Sequence, residues 1–340
     1  MTLNERILGG LVLAAAGDAI GAATETRSTA LIEERFGGPV RDFIDAPEDT
    51  FARGAKAGTV TDDFSLAWCT AMAIAERGGV IDKACAKDAL VRWHGLGDYF
   101  ERYAGPTTRA AVMAMLGTPM EAPLSFLACD NSKASNGGAM KIEAVGYVNP
   151  GDWDRAVEDA ITICLPTHPY DIALSGACAV AAACAEAVRE EADLFSIVKA
   201  GAYGAQKGYE KGGRVGARLA GPSVERRIWI AAELGMRAPD IGTAMRDISD
   251  IIGTGLAAAE AVPTAFGLLV AGRGDPVEAT LAGVNIGSDT DTVATIVGSI
   301  AGAHSGIGAL PEHYLEVIDR VNGYDLRGLA DRLAEVVAER

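Results

Sequence analysis

The chain has 340 residues, is 49% hydrophobic but only 6% aromatic, and carries a formal net charge of −16. That charge excludes nucleic acid as the main partner, because phosphate binding needs clustered Lys and Arg. No run reaches the roughly 18 to 20 apolar residues of a membrane span, so no membrane partner is expected.

Helical periodicity runs along the whole chain, and no window alternates with hairpin turn chemistry. In chain order the predicted helices are Asn4–Ala16, Thr29–Phe36, Phe64–Arg77, Lys83–Trp93, Thr107–Leu116, Ala139–Val148, Trp153–Leu165, Asp171–Arg189, Asp193–Tyr209, Val224–Glu233, Pro239–Ile252, Ala258–Val270, Pro276–Val284, Asp291–Ser305, Pro311–Asn322 and Leu326–Ala338. Pro239, Pro276 and Pro311 stand near helix starts, and Asp152, Asp171 and Asp325 are placed to cap. Between the second and third helices, Gly37–Thr59 is rich in Gly, Pro and Asp and reads as a long loop of the kind that carries function. With 41 glycines and few aromatics, the core is expected to be Ala, Leu, Val and Ile in closely packed helices. The pattern predicts an all-α, multi-helix fold in a single domain spanning 1–340.

Residues Ile7–Ala16 are apolar and end in Ala14-Ala15-Ala16, which resembles a signal-peptidase site. The flank before them holds one Arg and one Glu, so a secretory signal is not expected. The six cysteines, Cys69, Cys85, Cys129, Cys164, Cys178 and Cys184, form no C-x-x-C pair. They read as reduced and structural, in a reducing, cytoplasmic compartment.

Two short acidic motifs stand near the two ends: Thr61-Asp62-Asp63, and Asp289-Thr290-Asp291-Thr292 preceded by Gly287-Ser288. Each packs carboxylates and a threonine hydroxyl into a few residues, the donor type that hard divalent cations prefer. Each also leads into an apolar helical run, so the acids suit a helix N-terminus facing a cleft. Simple capping or turn closure explains either motif equally well taken alone. Gly17-Asp18-Ala19-Ile20-Gly21-Ala22-Ala23-Thr24-Glu25 reads as a sharp turn after the first helix, with Asp18 and Glu25 as loop acids or as part of a helix cap. Ser135-Asn136-Gly137-Gly138-Ala139-Met140-Lys141 is a glycine-rich turn that could hold a phosphate or sugar oxygen, or simply open a helix. Thr167-His168-Pro169 ends a helix, and Gly105-Pro106-Thr107-Thr108 reads mainly as a cap.

In this order and together, these motifs resemble the ADP-ribosylglycohydrolase family, over nearly the whole chain. The resemblance implies a compact orthogonal multi-helix bundle with a binuclear Mg²⁺ or Mn²⁺ site. It implies metal ligands Thr61, Asp62, Asp63, Asp289, Asp291 and Thr292, and catalytic roles for Asp62, Asp63 and Glu25. Substrate contacts are expected from Ser135, Asn136, Gly137, Gly138, Met140, His168 and Ser288. The implied reaction breaks the anomeric bond of an ADP-ribosyl group on a small acceptor or an ADP-ribosylated protein. Cleavage of a smaller N-riboside is the alternative, and a non-enzymatic relative the third reading. Phe64 stands where the family usually has Thr, Ser288 where Gly is common and Lys141 where Arg is common. Ala134 stands where some relatives place an aromatic on adenine, which favours the smaller substrate.

Overall fold

A computed structural model describes residues 1–120 and 129–340, and among these it contains seventeen α-helices and no β-strand. The helices are α1 (Leu3–Gly21), α2 (Thr29–Phe36), α3 (Asp62–Glu76), α4 (Lys83–His94), α5 (Tyr99–Tyr103), α6 (Pro106–Met115), α7 (Glu143–Tyr147), α8 (Trp153–Cys164), α9 (Asp171–Ala187), α10 (Leu194–Val215), α11 (Val224–Arg237), α12 (Ile241–Ile251), α13 (Ala258–Ala271), α14 (Pro276–Asn285), α15 (Thr290–Ser305), α16 (Glu312–Asn322) and α17 (Leu326–Ala338). The all-α expectation holds.

Helices α1, α9 and α15 form the centre. All of α9 is buried, as are Arg6–Gly21 of α1 and Thr290–Ala303 of α15. Small residues let α1 and α15 lie backbone to backbone. A Cβ on Gly17 would stand 2.6 Å from the Ala294 carbonyl oxygen, and one on Gly298 would stand 2.4 Å from that of Leu13. Around this seam, fully buried Ile7, Leu8, Leu11 and Leu13 each contribute about 1.5–3 kcal/mol. Among the described residues, no helix is long and apolar enough to cross a membrane, and all six cysteines are free.

Several boundaries differ from the sequence reading, each for a physical reason. Helix α1 does not turn after Ala16 but runs to Gly21, because Gly17 and Gly21 serve close packing rather than chain reversal. Asp18 is therefore a buried helical residue, not a loop acid. The helix expected over Ala139–Val148 shrinks to α7, since the backbone N–H groups of Ala139 and Met140 turn back onto the Asn136 carbonyl. Asp171 does not cap α9. It is the first helical residue, and its carboxylate accepts from the N–H of Leu219. Gly105 offers no side-chain cap, and α6 begins on Pro106. Helix α5 has no counterpart in the sequence reading. Asp152 and Asp325 do cap α8 and α17, and the structure adds Asp275 and Asp82 as the caps of α14 and α4.

Candidate active site

The N-terminus of α3 is built on Asp18. Its buried carboxylate accepts from the N–H of Thr61 at 2.9 Å, the Thr61 hydroxyl at 2.7 Å and the N–H of Phe64 at 2.9 Å. One side chain from α1 thus satisfies the free donors of another helix's first turn. That turn carries Asp62 and Asp63. The N-terminus of α15 brings the second motif to the same place, and the Thr292 hydroxyl bonds both oxygens of Asp63 at 3.1 Å. These two residues are 229 positions apart.

The carboxylates fall into two groups that share Asp291. One oxygen each from Asp18, Asp63 and Asp291 lies within 4.8 Å of the others, and the same holds for Glu25, Asp289 and Asp291. Asp62 is half-buried and stands outside both groups. Thr61 and Thr292 lie beside them with their hydroxyls turned onto Asp18 and Asp63. Sequence reasoning left Asp18 among possible cap or loop residues. Its signal was a single charge inside an otherwise apolar helical run.

Backbone cross-links hold Glu25 against the second motif. The N–H of Thr26 donates to Ser288 O at 2.8 Å, and that of Ser288 donates to Arg27 O at 2.7 Å. Ser288 sits at φ +67°, the left-handed region where glycine is at ease. The Arg27 guanidinium caps the Ala23 and Glu25 carbonyls and pairs with Asp49, tying the 37–61 loop to this segment. A groove of about 490 Å³ runs outward from Thr26, Ser28 and Ser288 to Arg246, Ser249 and Asp250 of α12.

The glycine-rich turn joins from the other side. Asn136 donates its side-chain amide to Asp289 at 2.5 Å, and its N–H bonds Leu256 O. Gly138 lies against Cys164, Met140 is buried, and Ser135 pairs with Ala257 as an isolated bridge. His168 is buried behind Gly137, where a Cβ would meet its Nε2 at 2.8 Å. Ser135, Gly137, Gly138 and Met140 thus sit on one turn with Asn136, and His168 packs on it from the segment after α8; of these residues Asn136 touches an acid of the cluster.

Burial dominates the electrostatics. It raises Asp18 to about 6, against the opposing bonds from Phe64 and Thr61. Burial, then repulsion from Asp289, Asp62 and Asp18, raises Glu25 to about 8. Burial and Asp18 raise Asp62 to about 7. Asp63 and Asp291 are pushed well above the usual range, and Asp289 is raised less because Asn136 donates to it. Six acids crowded together and starved of water favour protons or hard cations over bare charge. The donor set, carboxylates and hydroxyls with no thiolate or imidazole in either group, fits Mg²⁺ or Mn²⁺.

Comparison with known proteins adds to this geometry. A family model described as ADP-ribosylglycohydrolase matches residues 1–340. An uncharacterized protein of Escherichia coli (strain K12), YegU, is 30% identical over 342 residues, covering 99% of this chain and 98% of that one. An uncharacterized protein of Archaeoglobus fulgidus is 28% identical over 305 residues, covering 89% and 88%. The solved structure of an ADP-ribosylglycohydrolase-related protein complex superposes with a TM-score of 0.67 at 23% identity, over 98% of this chain and 99% of that chain, which shows the shared fold.

Proposed function

The chain belongs to the ADP-ribosylglycohydrolase family, and from that premise we propose that it is a divalent-metal-dependent glycohydrolase that cleaves the anomeric C1 bond of an ADP-ribosyl group. The observation that carries this reading is the meeting of the two acid motifs through the Asp63–Thr292 bond, with Asp291 shared by both carboxylate groups.

Asp18, Asp63, Asp289 and Asp291, with Thr61, Thr292 and Asp62 beside them, are the residues that would hold two divalent cations. Bound there, the cations supply Lewis-acid charge to a water and to the ribose hydroxyls. Asp62, beside the ions yet outside both carboxylate groups, is the candidate general base for the attacking water, and Asp63 is the second candidate. Glu25, held against the second motif, is the residue placed to deliver a proton to the leaving atom. The remaining carboxylates stabilise the positive charge that develops on the ribose ring. Asn136, Gly137, Gly138, Met140, Ser135, His168 and Ser288 line the approach to the sugar and its neighbours. The groove that opens at Thr26 and Ser288 leads outward and leaves room for the acceptor.

A second substrate reading, a smaller N-riboside, is favoured by Ala134. This residue is buried; its carbonyl accepts from the N–H of Ala258 and its own N–H donates to Asn131 O. The test is a mass-spectrometric product assay with Mg²⁺, using ADP-ribosyl-arginine and ADP-ribosyl-serine peptides and a panel of ribonucleosides. ADP-ribose release that is abolished in Asp291→Ala is the expected result. Free ribose from nucleosides alone would move the substrate to the smaller class. Activity that survives unchanged in Asp291→Ala would overturn the metal-site assignment.

A further inference from the structure

Behind the glycine-rich turn, a buried line of polar side chains ends on His168. The Lys141 side chain is 1% exposed, and its ammonium donates to Thr167 Oγ1 at 3.2 Å. Thr167 Oγ1 stands 2.8 Å from His168 Nδ1 and 3.4 Å from Cys164 O. Which atom receives the threonine proton decides where the imidazole keeps its own.

The donor and acceptor inventory gives one consistent assignment. The Cys164 carbonyl already accepts the backbone N–H of His168 at 2.8 Å and of Thr167 at 3.1 Å, which fills both of its lone pairs. An ammonium has no lone pair, so Lys141 takes no proton from the hydroxyl and occupies one of its lone pairs. Burial lowers the Lys141 pKa, and Cys164 and Asp62 oppose that. The hydroxyl proton is left with the nearer acceptor, His168 Nδ1. Burial, and then the Lys141 charge, also hold the His168 pKa down at about 3, so the ring is neutral. A neutral ring that accepts at Nδ1 carries its proton on Nε2. That nitrogen faces Gly137 and has no hydrogen-bond partner among the described residues.

We propose that Lys141 is a positioning residue which, through the Thr167 hydroxyl, locks His168 as the Nε2–H tautomer and so presents a neutral donor to an acceptor oxygen of the ligand, a hydroxyl or a phosphoryl group, at the glycine-rich turn. Only the naming of the ligand rests on the glycohydrolase reading. The tautomer does not. The same arrangement explains why position 137 is glycine, because any side chain there would press on Nε2.

Long-range ¹H–¹⁵N correlation on protein labelled in histidine reads the tautomer directly. The chain has four histidines, so His168→Asn assigns the signal. At pH 7 the wild type is expected to show His168 protonated on Nε2 with a bare, hydrogen-bonded Nδ1. Lys141→Arg and Thr167→Ser keep that pattern. Lys141→Met and Thr167→Val release it into a tautomer mixture. The two releasing variants should also weaken ADP-ribose or ribose binding by about two- to tenfold, the loss expected for one neutral hydrogen bond. Thr167→Val answers the question if Lys141→Met does not fold. An Nδ1–H signal in the wild type, or an unchanged tautomer in both releasing variants, overturns the lock. Wild type that shows the Nε2–H tautomer but binds neither probe refutes the ligand class and the glycohydrolase reading, and leaves the lock standing.

Discussion

Glu143 lies in α7 at 1% exposure, and one of its carboxyl oxygens has no hydrogen-bond partner among the described residues. Burial raises its pKa from 4.5 to about 8, against one opposing bond from its own N–H. In the folded chain the group stays protonated up to about pH 8, whereas unfolded it ionises near 4.5. The folded state therefore binds more protons between these values, and stability falls as pH rises through that window, by at most about 1.4 kcal/mol per pH unit. Glu143→Gln has no proton to lose. Urea unfolding at pH 5, 6.5 and 8 should show the variant gaining on the wild type as pH rises. A gap that stays constant across the three would mean that Glu143 does not titrate in this window. At this scale the sequence was a partial guide. Asp289, Asp291 and Asp63 stood out because acids cluster in a polar motif. Glu143 did not, and Asp18 was marked only as a loop acid or cap, because a single acid in an apolar helix looks the same whether it is capped, orphaned or solvated. Ser288 was marked as a substrate contact and as a departure from glycine, and its positive φ is what makes that departure costly.

Helices were legible where start signals and periodicity agreed, as for α8 and α17, whose aspartate caps the sequence marks, and for α14, which begins on the marked Pro276. They were misread where glycine had two meanings. Gly17 and Gly21 looked like a turn after Ala16. They are contact points, and a Cβ on Gly21 would stand 2.6 Å from the Asp291 Cα. Helix α5 escaped notice because it spans five residues and Asp98 makes no capping bond. It still bears on the site, since the charges of Asp18 and Asp62 are among the causes that raise its Tyr103 hydroxyl. The α1–α15 seam gives the clearest element-scale prediction. A Cβ on Gly298 would lie 2.4 Å from Leu13 O and 2.8 Å from Ala14 N, both backbone atoms that cannot rotate away. Overpacking of this kind costs about 1–3 kcal/mol, which lowers the Tm of a chain this size by roughly 2–4 °C. Gly298→Ala should show that loss, whereas Gly308→Ala, with open space around its Cβ, should melt with the wild type. Equal melting of the two variants would mean that α1 and α15 do not pack this closely.

On the scale of the whole molecule, the fold gathers carboxylates from α1, the segment after it, α3 and the start of α15 into one buried place. Nothing in the spacing of the chain revealed this convergence. Residues 229 positions apart carry no local sign of contact, and only the family resemblance joined them. The arrangement stores repulsion, because Asp63 and Asp291 are each raised both by burial and by the other acids of the cluster. Cations that bind the folded chain and not the unfolded one should relieve that repulsion and stabilise the protein by mass action, by about 2.7 kcal/mol at one hundred times Kd. For this chain length that is a rise in Tm of roughly 4 °C. Asp63→Asn removes one acid from the group it shares with Asp18 and Asp291. Its metal-free form should melt above the metal-free wild type, yet gain little when Mg²⁺ or Mn²⁺ is added. Differential scanning calorimetry with chelator and then with each cation measures both effects on the same samples. The two signs belong together: an acid that opposes the metal-free fold is the one expected to gain most from an ion. A wild type whose Tm ignores both cations would remove the metal centre, and a metal-free Asp63→Asn that melts below the wild type would mean that Asp63 serves the fold through Thr292 more than it opposes it.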